Sequence, residues 1–331
     1  MSWRTLVLTR RCKLDLSMNY LEIRSEEVKR VHLSEIHTII IESTAISLTA
    51  ALLSELIRRK IKVIFCDEKR NPCSELIPYY GSYDSSARIR QQISWDKGIK
   101  GQVWAEIVAE KIRRQQDLLR ECGETDKADR LGEYTEAVAE ADESNREGHA
   151  ARLYFTGLFG MEFSRSRDNP VNAALNYGYT LLLSAFNKEI AAAGYLTQIG
   201  IFHNNMFNPF NLASDLMEPF RPLVDKVVWE LQPEKFEKEE RLSLLDIFNQ
   251  RLLIDNQVQY FTNAVRIYTY SVLDAMNDKA PEKLLFYLPY QGKKKNTAKE
   301  QETSDREGSG LLNKVEQLLT DRNIENKNDE L

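Results

Sequence analysis

Along the N-terminal part of the chain, apolar positions either alternate with polar ones or run in short β-branched blocks. TLVLTR, KLDLSMNYLEI and VHLSEIHTIIIES are such segments, and both patterns predict strands. Residues 47–60, SLTAALLSELIRRK, break the series. Their apolar positions recur at helical spacing, and Arg58, Arg59 and Lys60 gather at the C-terminal end, where cations suit the helix dipole. IKVIFCD then returns to strand, Asn71-Pro72 marks a turn, and the polar residues 81–86 close the region.

After residue 87 the period changes from two to 3.6. Residues 103–119 place Val103, Ile107, Val108, Ile112 and Leu119 along one stripe. Residues 123–144 are acidic and either join helices or form an exposed one. Further helices are predicted at 148–163, 171–192, 211–230, 239–250 and 253–276. Residues 291–310 are polar, with Lys293, Lys294 and Lys295 in a row, and read as a flexible linker. Beyond them Leu311, Leu312, Val315, Leu318 and Leu319 form one apolar face of a short amphipathic helix, marginal by itself in water. The expected architecture is α+β. A small β-sandwich-like domain with one helix (1–86) precedes a larger all-α domain (87–290) and a polar tail (291–331).

Composition changes this picture little. The chain has 331 residues, 42% hydrophobic and 29% charged, as in an ordinary globular protein. No run approaches the roughly 18 apolar residues of a membrane span, and MSWRTLVLTRR has no secretory apolar core. Cys12, Cys66, Cys73 and Cys122 show no zinc-type spacing. A thiol-reduced, cytoplasmic protein is expected.

Charge adds more. The net charge of −5 speaks against a nucleic-acid partner when averaged over the chain, but the charges are segregated. Residues 88–120 carry eight Lys/Arg against four Asp/Glu, and residues 121–147 carry three against ten. Arg88, Arg90, Lys97, Lys100, Arg113 and Arg114, with Trp95 and Trp104 nearby, could track a phosphate backbone. A solvated helix face with two core tryptophans is the alternative.

The four histidines are few enough to weigh singly. His32 and His37 lie among apolar neighbours and read as core or surface positions, and His149 sits at a helix start. His203 is informative because it precedes a helix carrying Asp215 and Glu218. These acids are neighbours at i and i+3 among Leu212, Leu216, Met217 and Phe220. Carboxylates on so apolar a helix need a compensating partner. Arg221 as an ion pair or a bound divalent metal would serve, and the residues alone leave both open. Glu147, at the junction of the acidic stretch with a core-like segment, poses the same question. One His with two or three carboxylates is a donor set for Mg²⁺ or Mn²⁺ more than for zinc.

REGHAARLYF, NPVNAALNYGYTLL, GIFHNN and LASDLMEPFRPLVD, in that order and spacing, closely resemble the CRISPR adaptation integrase, the CRISPR-associated endonuclease of spacer acquisition. The likeness extends to the strand–helix–strand segment IHTIIIESTAISLTAALLSELIRRKIKVIFCD and covers roughly residues 3–290. The form most similar is the compact one of systems with single-protein effectors. The resemblance implies that Glu147, His203 and Glu218 bind metal, with Asp215 a supporting acid. Many members have Asp where Glu218 stands. Asn172 and Arg221 match polar positions near the family's site and, with Arg113 and Arg114, are candidates for DNA contact; His149 has no implied role. The implied reaction is integration, in which a 3′-hydroxyl of a captured duplex attacks a phosphodiester at the edge of a CRISPR repeat with Mg²⁺ or Mn²⁺. The implied partners are double-stranded DNA (prespacer and repeat), a second copy bound largely through the β domain, and a dimer of a small ferredoxin-like adaptation protein. An effector nuclease or an accessory adaptation protein are candidates for the tail, and no membrane is involved. Two other classes remain distinct: a catalytically silent DNA-binding scaffold of the adaptation complex, and a metal phosphoesterase for small substrates, which the basic stretch disfavours.

Overall fold

Eight strands and one helix make up the N-terminal region of the structure, a computed structural model that describes residues 4–78, 82–142 and 144–290. The strands are β1 (Arg4–Leu8), β2 (Lys13–Ser17), β3 (Tyr20–Arg24), β4 (Val28–His32), β5 (Ile36–Ile41), β6 (Ser47–Leu48), β7 (Lys62–Cys66) and β8 (Pro72–Glu75), with α1 (Ala50–Arg58) between β6 and β7. They form two four-stranded sheets, β1-β5-β7-β8 and β4-β3-β2-β6. In the first, β1, β5 and β7 are parallel. Such strands are covered on both faces, which explains the unbroken apolar run of β5. Ile39, Ile41 and Val63 face Leu14 and Leu21 of the second sheet and Leu52 and Leu56 of α1. Ile40, Ile64 and Cys66 face the other way, into the larger core. The helix expected over 47–60 starts at Ala50, where the Thr49 side chain caps it, because Ser47 and Leu48 pair with β2 instead.

The remainder is mostly helical: α2 (Ser85–Ile93), α3 (Lys97–Glu121), α4 (Thr125–Glu136), α5 (Arg146–Phe159), α6 (Pro170–Ala192), α7 (Asn211–Leu216), α8 (Arg221–Leu231), α9 (Lys238–Leu245) and α10 (Phe261–Asp278). The acidic stretch supplies α4. Asn169 caps α6 through the Asn172 N–H, with Pro170 in the first turn, where its missing N–H costs nothing. Two expected helices are corrected. Residues 211–230 break into α7, a 3₁₀ turn at Glu218–Phe220 and α8, because Pro219 and Pro222 cannot donate to a continuous ladder. Residues 253–276 begin as a hairpin of β9 (Arg251–Ile254) and β10 (Gln257–Tyr260), with α10 following. Its turn residues Asp255 and Asn256 take φ of 49° and 56°, the left-handed pair a two-residue hairpin requires. β11 (Leu288–Pro289) adds to β9, so the second region is not all-helical. The described residues are α+β, and as far as Pro289 they pack as one compact unit. The helix predicted from Leu311 onward lies outside the described residues. No helix among the described residues is long and apolar enough to cross a membrane.

Candidate metal and nucleic-acid site

α3 is buried nearly all round, and four of its buried residues are polar: Glu110, Lys111, Arg114 and Gln115. An ammonium in such a place needs carboxylates, and Lys111 finds two. Its Nζ lies 2.6 Å from Glu147 Oε1 and 2.5 Å from Glu218 Oε2. Burial alone would push Lys111 down, but the Glu218 and Glu147 charges outweigh it and hold the ammonium above its ordinary pKa. Arg221 Nε donates to Glu218 Oε1 at 2.8 Å and stacks its guanidinium over the Tyr179 ring. Against the upward push of burial, Arg221 and Lys111 keep Glu218 well below the usual carboxylate range.

Each carboxylate is placed by local chain chemistry. Glu147 stands in the first turn of α5, whose leading N–H groups, those of Arg146 and Glu147, are accepted by Asp142 at 2.8 and 3.0 Å. This caps the helix and aims its first turn at α3. Glu218 opens the 3₁₀ turn that the two prolines impose, and its carboxylate meets Lys111 of α3 and Arg221. Asp215 and Glu218, three residues apart, serve different partners.

Asp215 is fully buried and accepts four hydrogen bonds. Ile201 N and Phe202 N donate to Oδ2, and His203 N and Nδ1 meet Oδ1 at 3.0 and 2.6 Å. Burial raises its pKa while these donors work against that rise. The bond from Asp215 raises His203, burial opposes it, and the charges of Asp215, Glu218 and Glu147 add to the rise. Glu147 and Glu218 thus lie within electrostatic reach of the imidazole. The loop reaches Asp215 only because residue 200 is glycine. A Cβ there would stand 2.4 Å from the His203 carbonyl and 2.6 Å from Asp215 Oδ2. Trp104 closes the floor, stacked on Phe202 with centroids 4.5 Å apart and meeting His203 edge-on at 5.7 Å.

The structure thus sets Glu147 and Glu218 on Lys111, with His203, held by Asp215, within electrostatic reach of both glutamates. Among the described residues no three His, Cys, Asp or Glu side chains already stand in a metal-ligating cluster; Lys111 occupies the space between the glutamates. The donor chemistry nevertheless fits a divalent ion. A carboxylate on Nδ1 fixes the imidazole and leaves Nε2 as the ligand atom, a standard outer-shell arrangement. Glu218 Oε2 is buried without a well-aligned hydrogen bond, the contact with Lys111 being close but poorly directed.

The other candidates are placed differently. Asn172 is buried, accepting from Arg165 at 2.6 Å and donating to the Ser164 and Arg167 carbonyls. Arg114 is buried against Glu110 and Asp117 and lies over the Tyr287 ring. Arg113 is half exposed and pairs with Glu110. Trp95 and Trp104 are core residues, which removes them as stacking platforms, while Arg90 and Lys97 are exposed. Lys111 went unnoticed in the sequence. Its only signal is a lysine four residues after Ile107, where the apolar stripe of α3 calls for another hydrophobe.

Residues 5–255 match the family described as CRISPR associated protein Cas1. Over 229 residues the chain is 39% identical to the CRISPR-associated endonuclease Cas1 of Neisseria meningitidis serogroup C (strain 8013), covering 69% of this chain and 75% of the relative. A Cas1 endonuclease of Pyrobaculum aerophilum is 30% identical over 226 residues, 62% of this chain and 74% of its own. In fold, a Cas1 protein from Thermotoga maritima aligns with TM-score 0.67 at 17% identity, over 82% of this chain and 97% of that one. A casposase bound to its integration product aligns with TM-score 0.67 at 18% identity, over 83% and 91%. A chain of a Cas6-RT-Cas1–Cas2 complex aligns with TM-score 0.67 at 18% identity over 85% of this chain, which spans only 36% of that longer one. A family match over most of the chain and a relative 39% identical place the chain in the Cas1 family of CRISPR-associated endonucleases.

Proposed function

We propose that this protein is a metal-dependent DNA integrase and endonuclease that inserts short foreign DNA fragments into a CRISPR array. A 3′-hydroxyl of the captured duplex would attack a phosphodiester at the repeat edge. The single observation that carries this reading is the convergence of Glu147 and Glu218 on one buried cation beside a histidine whose Nδ1 is held by Asp215. Glu147, His203 and Glu218 would hold Mg²⁺ or Mn²⁺. Such an ion supplies polarisation of a phosphodiester oxygen and stabilises charge on the attacking and leaving oxygens.

The chain's own residues do the rest. Asp215 orients His203 and keeps Nε2 facing the site. Arg221 holds Glu218 ionised, so the carboxylate is ready without proton loss. Trp104 and Phe202 give the histidine an apolar, aromatic wall. Exposed Arg90 and Lys97, with half-exposed Arg113, offer the phosphate backbone a basic surface. In-line placement of two DNA ends supplies most of the remaining catalysis, which suits a site with few reactive side chains. The Cas2 named in the complexes of two structural neighbours favours a Cas2-type partner.

The test is strand transfer into a supercoiled plasmid carrying a CRISPR repeat, with a short duplex bearing free 3′-hydroxyls, the small partner and Mn²⁺. Wild type is expected to join DNA. Glu147→Ala, His203→Ala and Glu218→Ala are each expected to lose at least ~100-fold of joining, the scale of removing a metal or its ligand, while still binding the duplex. Duplex binding by wild type with no joining would favour the silent scaffold.

A further inference from the structure

Charge bookkeeping at the site singles out Lys111. Glu147 and Glu218 carry two negative charges, and Lys111 and Arg221 answer them with two positive ones. His203 and Asp215 are engaged with each other. The glutamates are therefore neutralised by the protein itself. A divalent ion arriving here adds two positive charges beside glutamates that are already neutralised, with only the carboxylate of Asp215 behind the histidine left to oppose them, which is unfavourable in a medium of low polarity. It must also take Glu147 Oε1 and Glu218 Oε2 from the ammonium that contacts them. Lysine suits such an exchange. Its charge sits at the end of a four-carbon stem and, once released, can turn toward another anion, whereas arginine holds a fixed bidentate fork.

We propose that Lys111 is a resident counter-cation that makes metal binding depend on DNA. With its ammonium between Glu147 and Glu218 the site binds a divalent ion weakly, and a DNA phosphodiester supplies the negative charge that lets both cations stay. This rests on the metal-dependent reading above and adds a coupling between its two ligands. Linkage makes the coupling reciprocal: the metal tightens duplex binding by the factor by which the duplex tightens metal binding. The device keeps the nuclease site unloaded until the correct anion is present.

The experiment measures free Mn²⁺ by electron paramagnetic resonance during titration of the full chain, with and without a short duplex. Glu218→Gln protein and duplex alone serve as backgrounds. Wild type is expected to bind Mn²⁺ at least ~10-fold more tightly with the duplex, within the usual range of coupling between sites. Lys111→Met is expected to bind it at least ~10-fold more tightly than wild type without duplex, and to gain less from the duplex, because the competing charge is gone. Lys111→Arg keeps the charge, so without duplex it should bind Mn²⁺ no more tightly than wild type, and it should gain less from the duplex because its fork releases the glutamates less readily. Mn²⁺ binding by Lys111→Met no tighter than by wild type would overturn the proposal and leave Lys111 a structural clamp. So would a wild-type affinity indifferent to the duplex, which decides the matter even if Lys111→Met does not fold. No Glu218-dependent Mn²⁺ binding under any condition would overturn the metal-dependent reading itself.

Discussion

At Asp215 a fully buried carboxylate gathers three backbone N–H groups and the imidazole of His203. These bonds fix the imidazole's orientation. Asparagine is close in shape but neutral, and its amide offers one acceptor oxygen where four donors now converge. Asp215→Asn is therefore expected to lower strand joining by roughly 10–100-fold, the usual cost of losing an outer-shell partner, with duplex binding unchanged. Joining at the wild-type rate would show that His203 needs no such support. Lys111 belongs to the same scale: a lysine on a buried stripe reads as an anomaly, and only its two partners turn the anomaly into chemistry.

At the scale of elements, the site is made by interruptions. Pro219 and Pro222 break one long apolar segment into α7, a turn and α8, and the break aims Glu218 at α3 while Asp215 faces the loop. That loop in turn depends on Gly200, where any side chain would strike the His203 carbonyl and Asp215. Gly200→Ala should destabilise the fold by about 1–3 kcal/mol, the usual cost of overpacking, and reduce joining by freeing His203. Urea unfolding beside the joining assay checks both, and an unchanged midpoint would refute the steric argument. Periodicity showed most helices within a few residues, but two ends escaped it. Apolar residues on both sides of Pro219 continue the helical count regardless of the lost N–H. The β9–β10 hairpin was hidden because Leu252, Leu253, Ile254 and Val258 are equally compatible with a helix.

At the scale of the whole molecule, β5, β7 and β8 meet α6 through buried polar groups. Lys62 pairs with Glu75, Ser184 donates to Glu75 at 2.9 Å, and Lys188 Nζ lies 2.6 Å from His37 Nε2. Burial first, and then the charges of Lys188 and Lys62, push His37 down to about 3. Burial, with Lys62 and Arg266 adding and Glu189 opposing, lowers Lys188 to about 8. The folded state thus keeps His37 neutral while the unfolded chain takes up a proton near pH 6.5. Stability from this group is present above that pH and is lost as pH falls toward about 3. Between pH 7 and pH 5 the loss is about 2 kcal/mol. Urea unfolding at both pH values should show that loss in wild type and about 2 kcal/mol less of it in His37→Gln; equal losses would refute the assignment. Lys62→Met should cost roughly 3–5 kcal/mol, because it strands Glu75 as an unpaired buried charge.

The strand-rich start, the helical remainder and the α+β class were legible in the linear chain, which also singled out Glu147, His203, Asp215 and Glu218 as candidates. These follow from periodicity, from turn and cap residues, and from motifs whose order survives in the linear chain. Only the tertiary structure decided which of those acids face one another. It gave Asp215 and Glu218 different partners, turned Asn172 and Arg114 inward, sank Trp95 and Trp104 into the core, and set Lys111 between two glutamates far from it in sequence. The physical reason is that a side chain's partner is fixed by which elements pack together, and a buried charge cannot announce in one dimension which opposite charge neutralises it.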